Sequence, residues 1–262
     1  MHPDAHEGRG EIGGEAGELS GRLVLVLGCH RSGTSVVAQS LTCLGAELGP
    51  KSQWSGADNP SGFAEDLDVL AIDEILLTML GIPWFNAEPI DWPPQSRDMT
   101  RLGAFVTKLV RERLRQFPLW AVKEPRLCRL LPFWRPVFAA VGCSVSVVHV
   151  VRHPLAVAQS MLHRNGIPIE SGLAVWLAYT RAARADADPA WPAATVCYED
   201  LMTDPATQIA RIGATLGLPI DVGATQLFAR DSVRLDLWHQ EGDGPLPPGV
   251  AAEWAAAREG CR

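Results

Sequence analysis

The stretch that decides the fold is LVLVLGCHRSGTS, residues 23–35. Its first five residues, Leu23 to Leu27, form an apolar run typical of a strand buried on both faces of a parallel sheet. The residues from Gly28 to Ser35 have the G-x-x-x-x-G-x-S spacing of a phosphate-binding loop between a strand and a helix. Backbone N–H groups of such a loop form a concave anion site, and the following helix adds its dipole. The stretch therefore predicts an α/β protein with an anion site after its first strand.

The loop differs at one position from that of nucleoside-triphosphate enzymes. Thr34 stands where those enzymes carry a lysine for the β- and γ-phosphates, and Arg31 supplies the fixed positive charge instead. The next predicted strands end at Lys123 and Arg152, so neither offers an Asp for Mg²⁺. We therefore expect an anion other than Mg-ATP. A P-loop kinase or NTPase with a degenerate loop, and a non-catalytic nucleotide-binding protein, remain alternatives.

Strands alternate with helices along the rest of the chain. This alternation predicts a single α/β domain, with a central parallel sheet and helices on both faces, over residues 21–262. Residues 1–20 are polar and Gly/Glu-rich and are predicted to be a disordered tail. The further predicted strands are Leu119 to Lys123, Ser144 to Val151 and Ala194 to Tyr198. The main predicted helices are 34–44, 65–80, 98–116, 133–141, 154–163, 171–184 and 205–216, followed by an irregular C-terminal part with a short helix from about Val250.

Composition excludes several classes of protein. The chain has 262 residues and a net charge of −7, which argues against a nucleic-acid partner, and no apolar run is long enough to span a membrane. The six cysteines form no CxxC pair, so we expect no metal. The N-terminus shows no basic-then-apolar targeting signal, so we expect a cytoplasmic location and reduced thiols. Two segments, 19–46 and 125–169, contain arginines and no carboxylate. In an acidic protein this pattern favours an anion site.

Five blocks, in order, resemble the sulfotransferases that use 3′-phosphoadenosine 5′-phosphosulfate (PAPS), and most closely the bacterial members. Each block alone is a weak signal, but the five in order cover the chain from about residue 22 to 220. The blocks are His30 to Ser35, Asn59 to Asp66 (NPSGFAED), Lys123 to Arg126 (KEPR, with Glu124 for the usual Asp), Val150 to Met161 (VVRHPLAVAQSM), and Tyr198 to Leu201 followed by Asp204-Pro205.

The resemblance implies the residues of a donor site with two anionic ends. His30, Arg31, Ser32, Gly33, Thr34 and Ser35 would form the loop for the 5′-phosphosulfate. Arg152 and Ser160 match the 3′-phosphate segment, and Arg164 follows Ser160 on the same helical face. Tyr198 belongs to the last block at the end of its strand and is counted with the donor site.

The implied reaction moves a sulfuryl group in line to a hydroxyl or amine. Lys123 and Arg31 are the candidates that neutralise charge on the bridging oxygen, and Glu65 is the candidate general base. Glu47, Glu124 or a histidine are the substitutes for that base. The acceptor is predicted to be a small molecule or glycan. The resemblance implies a carbohydrate, a glycolipid or a hydroxylated natural product. The sequence predicts no oligomeric state. Residues 46–64, 82–97 and 221–249 are expected to shape the pocket, and the aromatic candidates for stacking are Trp54, Phe63, Trp84 and Trp176.

Overall fold

The computed structural model describes residues 21–49, 62–93, 96–232 and 242–261. The predicted tail 1–20, Trp54 and the Asn59 to Ser61 part of the second block lie outside these residues. The strands are β1 (Arg22–Leu27), β2 (Leu119–Lys123), β3 (Ser144–Val151) and β4 (Ala193–Cys197). The helices are α1 (Thr34–Ser40), a 3₁₀ turn (Leu41–Leu44), α2 (Leu67–Leu80), α3 (Arg97–Gln116), α4 (Leu127–Val141), α5 (Pro154–Asn165), α6 (Ile169–Ala185), α7 (Tyr198–Thr203), α8 (Pro205–Leu216), α9 (Val222–Asp231) and α10 (Pro248–Glu259).

The four strands form one parallel sheet in the order β2-β1-β3-β4. The chain leaves β1 toward β2 on one side, and β3 and β4 lie on the other side. The order therefore reverses between β1 and β3, and in such sheets a crevice opens at the carboxyl ends of the two strands. The residues after β1 and β3 are the phosphate loop and Arg152. The predicted α/β fold is confirmed, and the fold brings these two predicted anion-binding segments together.

The two faces of the sheet carry separate cores because side chains alternate along each strand. Leu23, Leu25 and Leu27 of β1 belong to the larger core, which includes residues of α3, α4 and α6. Val24 and Val26 belong to the smaller core, which includes residues of α1 and α8. All five side chains are fully buried. This double burial explains why β1 is apolar at every position rather than at alternate ones.

Several element boundaries differ from those predicted. α2 begins at Leu67 rather than Glu65, because the side chain of Asp66 accepts a hydrogen bond from the backbone N–H of Asp68 and caps the helix. α6 begins at Ile169, so Ser171 lies inside the helix and does not cap it. β4 ends one residue early, and Tyr198 opens α7 instead.

The C-terminal part is more regular than predicted, since α9 and α10 are both helical.

The expectation of reduced thiols is wrong for one pair: Cys197 and Cys261 form a disulfide, with Cα atoms 5.8 Å apart. The bond joins the end of β4 to the turn that follows α10. Burial raises the pKa of the other four thiols, Cys29, Cys43, Cys128 and Cys143. The cytoplasmic location stays a prediction, and it can no longer rest on reduced thiols throughout.

Among the described helices, none combines the length and the apolar character that crossing a bilayer requires.

Candidate active site

The phosphate loop follows β1 as predicted, and neighbouring parts of the chain pack closely against its two glycines. Gly33 has φ +84°, and a Cβ there would lie 2.2 Å from the ring of Tyr198. At Gly28, a Cβ would lie 2.6 Å from the carbonyl oxygen of Val150 in the neighbouring strand. Both glycines of the motif are therefore required by close packing, and Gly33 also by its backbone conformation.

Arg31 joins the loop to the predicted 3′-phosphate segment. Its Nε donates a hydrogen bond of 2.9 Å to the Oγ of Ser160 on α5. Its carbonyl oxygen accepts a hydrogen bond of 3.1 Å from Arg152, the residue that follows β3. The backbone of Arg31 has φ +67°, a conformation uncommon for a residue with a side chain. Such local strain is concentrated at functional sites, where the surrounding contacts maintain it.

Arg152 lies between the loop and α7. Its guanidinium carbon is 4.4 Å from the centre of the Tyr198 ring, which is the geometry of a cation–π contact. The indole N–H of Trp176 donates a hydrogen bond to the carbonyl oxygen of Arg152 and so fixes the end of β3 on α6. Trp176 is fully buried, so its role in this position is structural support rather than stacking on a ligand.

Lys123 and Glu65 meet at the end of β2. The Nζ of Lys123 is 2.5 Å from Oε1 of Glu65, and both side chains are almost fully buried. Burial lowers the pKa of Lys123, and the neighbouring Glu65 and Glu124 oppose this change. The two residues predicted to neutralise charge and to accept a proton are thus in direct contact.

The carbonyl oxygen of Phe63 connects this ion pair to the loop. It accepts hydrogen bonds of 3.0 Å from both Lys123 Nζ and Ser35 Oγ. The next residue, Ala64, has φ +54°, which is a second strained backbone position beside the site. The ring of Phe63 lies 5.4 Å from the guanidinium carbon of Arg164. The sequence predicts only a stacking role for Phe63, because a backbone acceptor has no side-chain signature.

A second cluster of charges lies directly behind Lys123. Glu124 is fully buried and binds both the backbone N–H and the guanidinium of Arg126, whose other nitrogen reaches Glu74 on α2 at 2.6 Å. Burial and the adjacent Glu124 raise the pKa of Asp73, whose Oδ1 accepts a hydrogen bond from the indole N–H of Trp134. Both carboxylate oxygens of Glu124 therefore bind Arg126 and fix its position. The exposed Glu47 pairs through its backbone with the edge of β2.

The predicted site residues lie at the carboxyl edge of the sheet: the loop follows β1, Lys123 ends β2, Arg152 and α5 follow β3, and Tyr198 follows β4. Glu65 is joined to this edge by its contact with Lys123. Direct contacts connect Glu65 with Lys123, Arg31 with Ser160 and Arg152, and Arg152 with Tyr198. The remaining residues complete the loop and its rim. These are His30, Ser32, Gly33, Thr34, Ser35 and Arg164. No contact in the structure tests the predicted role of any of them.

Comparisons with known proteins agree with this architecture. The model of a family described as the sulfotransferase family matches residues 138–222, a segment that contains Arg152, Ser160, Arg164 and Tyr198. The resemblance found in the sequence is confirmed over this segment, which is about a third of the chain. No curated protein matches the chain.

Two solved structures share the fold over most of its length. The sulfotransferase domain of the olefin synthase from Synechococcus PCC 7002 is 18% identical, with a TM-score of 0.52 over 91% of this chain and 93% of that one. The sulfotransferase domain of the curacin biosynthetic pathway is 14% identical, with a TM-score of 0.51 over 90% of this chain and 97% of that one. The fold is thus that of sulfotransferase domains.

Proposed function

We propose that this protein is a sulfotransferase that takes its sulfuryl group from PAPS. The observation that carries the proposal is the division of the crevice into two cationic parts. Lys123 lies at the end of β2 and Arg152 follows β3, and the loop after β1 lies between them, with Arg31 in contact with both Arg152 and Ser160. A donor with a phosphosulfate at one end and a 3′-phosphate at the other needs two such parts.

Arginine suits the 3′-phosphate end because its planar guanidinium donates two hydrogen bonds and keeps its charge at any physiological pH. Arg152 is held by the loop carbonyl and the Tyr198 ring, so its orientation is fixed before a ligand arrives. Ser160 would contribute its hydroxyl from the following helix. Preorganised charge of this kind lowers the cost of binding.

Lys123 and Glu65 would divide the work of the transfer. As the S–O bond to the 5′-phosphate breaks, negative charge develops on the bridging oxygen, and the ammonium of Lys123, with Arg31, would neutralise it. Glu65 would accept the proton of the acceptor hydroxyl while the new O–S bond forms. The two side chains are in contact. The group that would take the acceptor's proton and the group that would neutralise the leaving oxygen therefore form one buried ion pair.

The donor assignment is tested by thermal shift with adenosine 3′,5′-bisphosphate, AMP and Mg-ATP. The bisphosphate should stabilise the fold by about 2.7 kcal/mol at a concentration 100-fold above its Kd, because it binds the native state alone. AMP should stabilise it much less, since it has one phosphate end. Equal shifts for both nucleotides, or a larger shift with Mg-ATP, would contradict the assignment. Transfer itself is tested by mass spectrometry of acceptor mixtures incubated with PAPS, where a sulfo adduct is expected.

A further inference from the structure

Three side chains with metal-binding atoms meet where β4 ends. Cys197 is the last residue of β4, Asp200 lies in the first turn of α7, and Cys261 lies in the turn after α10. The two sulfur atoms and one carboxylate oxygen all lie within 4.8 Å of one another. Because the two cysteines are 64 positions apart, their spacing in the sequence gives no indication of this cluster.

The carboxylate of Asp200 makes no other contact that would explain its place. Within the described ranges of the chain, no hydrogen bond or ion pair engages this side chain, and only the backbone carbonyl of Asp200 accepts hydrogen bonds, from Asp204 and Thr203. The residue is half-buried beside two buried cysteines. A disulfide carries no charge and no polar hydrogen, so it does not compensate a carboxylate. A cation between the three side chains would do so.

The position of Cys261 does not depend on the disulfide alone. Arg211 on α8 donates one hydrogen bond of 3.4 Å to the carbonyl of Gly260 and another to the carbonyl of Thr195 in β4. A Cβ at Gly260 would lie 2.7 Å from the Oγ1 of Thr195, so this turn packs directly against β4. Cys261 and Cys197 also belong to one small apolar cluster. These contacts keep the two sulfurs near each other when the bond between them is open.

The chemistry of the three ligand atoms favours zinc. Zn²⁺ binds thiolate sulfur at about 2.3 Å and carboxylate oxygen at about 2.0–2.2 Å in a tetrahedral arrangement. Two sulfurs on one such ion therefore lie about 3.8 Å apart, a separation that rotation of the two reduced side chains supplies. The hard cations Mg²⁺ and Ca²⁺ prefer oxygen ligands, so they would leave both sulfurs unused.

We propose that Cys197, Cys261 and Asp200 form a zinc site in the reduced protein, and that the ion joins the end of β4 to the turn after α10 as the disulfide does in the oxidised protein. A dithiol reductant supplies two electrons and two protons: the S–S bond breaks, each sulfur becomes a thiol, and the reductant becomes a disulfide. Zn²⁺ then displaces the two thiol protons, forms two Zn–S bonds and one Zn–O bond, and takes water as its fourth ligand.

The two forms exclude each other, because a sulfur within a disulfide is not a thiolate ligand. A compartment that keeps thiols reduced favours the zinc form, and an oxidising one favours the disulfide. The inference does not rest on the proposed function, since binding of the metal needs neither donor nor acceptor.

The test counts zinc on the oxidised and the reduced chain. The full-length protein is reduced with dithiothreitol, freed of the reductant without air, incubated with Zn²⁺ and dialysed, and the metal is measured by mass spectrometry. The reduced protein should retain about one Zn²⁺ per chain more than the oxidised protein, whose sulfurs are not available as ligands. Co²⁺ as a second probe should give thiolate-to-cobalt charge-transfer absorption and the intense visible bands of tetrahedral coordination.

Two variants test the ligand set. Cys261→Ser should remove the additional zinc. Asp200→Asn should keep the thiolate-to-cobalt absorption but lower zinc affinity more than roughly 10-fold, because loss of even an outer partner of a ligand costs about 10–100-fold. The matched controls are Cys143→Ser, at a partly buried free thiol, and Asp91→Asn, at an exposed carboxylate. Neither control should change the zinc content or the affinity.

Thermal unfolding separates loss of the ligand from loss of the fold. Zn²⁺ should raise the Tm of the reduced wild type and leave that of reduced Cys261→Ser unchanged, because the ion binds the native site. Equal zinc on the oxidised and reduced wild type, or on the wild type and Cys261→Ser, would overturn the inference. Full affinity in Asp200→Asn would do the same, since two thiols alone would then account for binding. Asp200→Asn keeps the test decisive if Cys261→Ser does not fold.

Discussion

The two cationic parts of the crevice are built differently. At the end of β2, cations meet carboxylates: Lys123 contacts Glu65, and Arg126 contacts Glu124 and Glu74. After β1 and β3, the described contacts of the arginines include a hydroxyl, a backbone carbonyl and an aromatic ring. Arg31 donates to the hydroxyl of Ser160, and Arg152 donates to a backbone carbonyl and lies over the Tyr198 ring.

This difference predicts that one part of the site acts in the transfer step and the other in binding the donor. A cation paired with a carboxylate contributes little net charge, but the pair can exchange a proton or move charge during a reaction. An arginine stays protonated at any physiological pH, and its planar guanidinium can donate two hydrogen bonds to a bound phosphate. We therefore expect changes at the β2 end to affect turnover first, and changes at the β3 end to affect donor affinity first.

The largest effect is expected at Glu65. Glu65→Gln keeps the shape of the side chain but cannot accept a proton, so kcat should fall by roughly 10²–10⁴. Affinity for adenosine 3′,5′-bisphosphate, measured by calorimetry, should be nearly unchanged, because the base acts on the acceptor. Glu112→Gln, at an exposed carboxylate of α3, is the control. Near-normal turnover in Glu65→Gln would transfer the role to Glu47, Glu124 or a histidine.

Lys123→Ala should lower kcat by roughly 10²–10³, the usual effect of removing one group that stabilises transition-state charge. In contrast to Glu65→Gln, it should also weaken donor binding, because in the proposed reaction the ammonium would face the phosphosulfate. Since burial lowers the pKa of Lys123, the wild-type rate should decline as pH rises, and at a lower pH than an exposed lysine would require. Lys108→Ala, at an exposed position of α3, should change neither quantity. A turnover loss without any loss of donor affinity would place Lys123 on the acceptor side.

Arg152→Ala tests the other part of the crevice. Loss of a charge-assisted, two-bond contact should weaken binding of adenosine 3′,5′-bisphosphate by roughly 2–3 kcal/mol. The loss should nearly vanish for AMP, which has no 3′-phosphate. Arg184→Ala, whose guanidinium pairs with Glu253 on α10, is the control. If Arg152→Ala weakened both nucleotides equally, the residue would be structural, and the comparison between the two parts would fail.

Ser160→Ala should have the smallest effect, about 0.5–1.5 kcal/mol in bisphosphate affinity. The change removes the hydroxyl that accepts the hydrogen bond from Arg31, while the charge of Arg31 remains. Ser171→Ala, at an exposed position of α6, is the control and should leave the calorimetric Kd unchanged. An effect of Ser160→Ala on kcat without one on Kd would mean that this serine belongs with the Lys123 group.

Much of the fold could be predicted because its signals are local. The bounds of β2 and β3 were predicted to the residue, since both are apolar runs that end at a charged residue or directly before one. The phosphate loop was equally visible, because its glycines must stand at fixed positions between a strand and a helix. The boundary errors at Glu65 and Ser171 arose where a neighbouring residue caps or starts the helix instead.

The contacts within the site could not be predicted, because they join distant residues. Arg31 and Ser160 are 129 positions apart, and no local pattern indicates that one donates to the other. Tyr179 lies in an ordinary apolar helix pattern, so its packing on His30 has no separate signal. The disulfide was missed for the same reason: cysteines 64 positions apart become neighbours only once β4 and α10 are placed together.

That disulfide has a consequence for how the chain behaves when it is cut. Cys197 and Cys261 close a covalent ring that contains α7 to α10, and Tyr198 is the first residue inside it. A protease that cleaves one peptide bond within the ring produces two pieces that remain one molecule. They should migrate as a single band on a denaturing gel and separate only when a reductant is added. The piece that carries the C-terminal helix therefore cannot diffuse away from the end of β4 until the bond is opened.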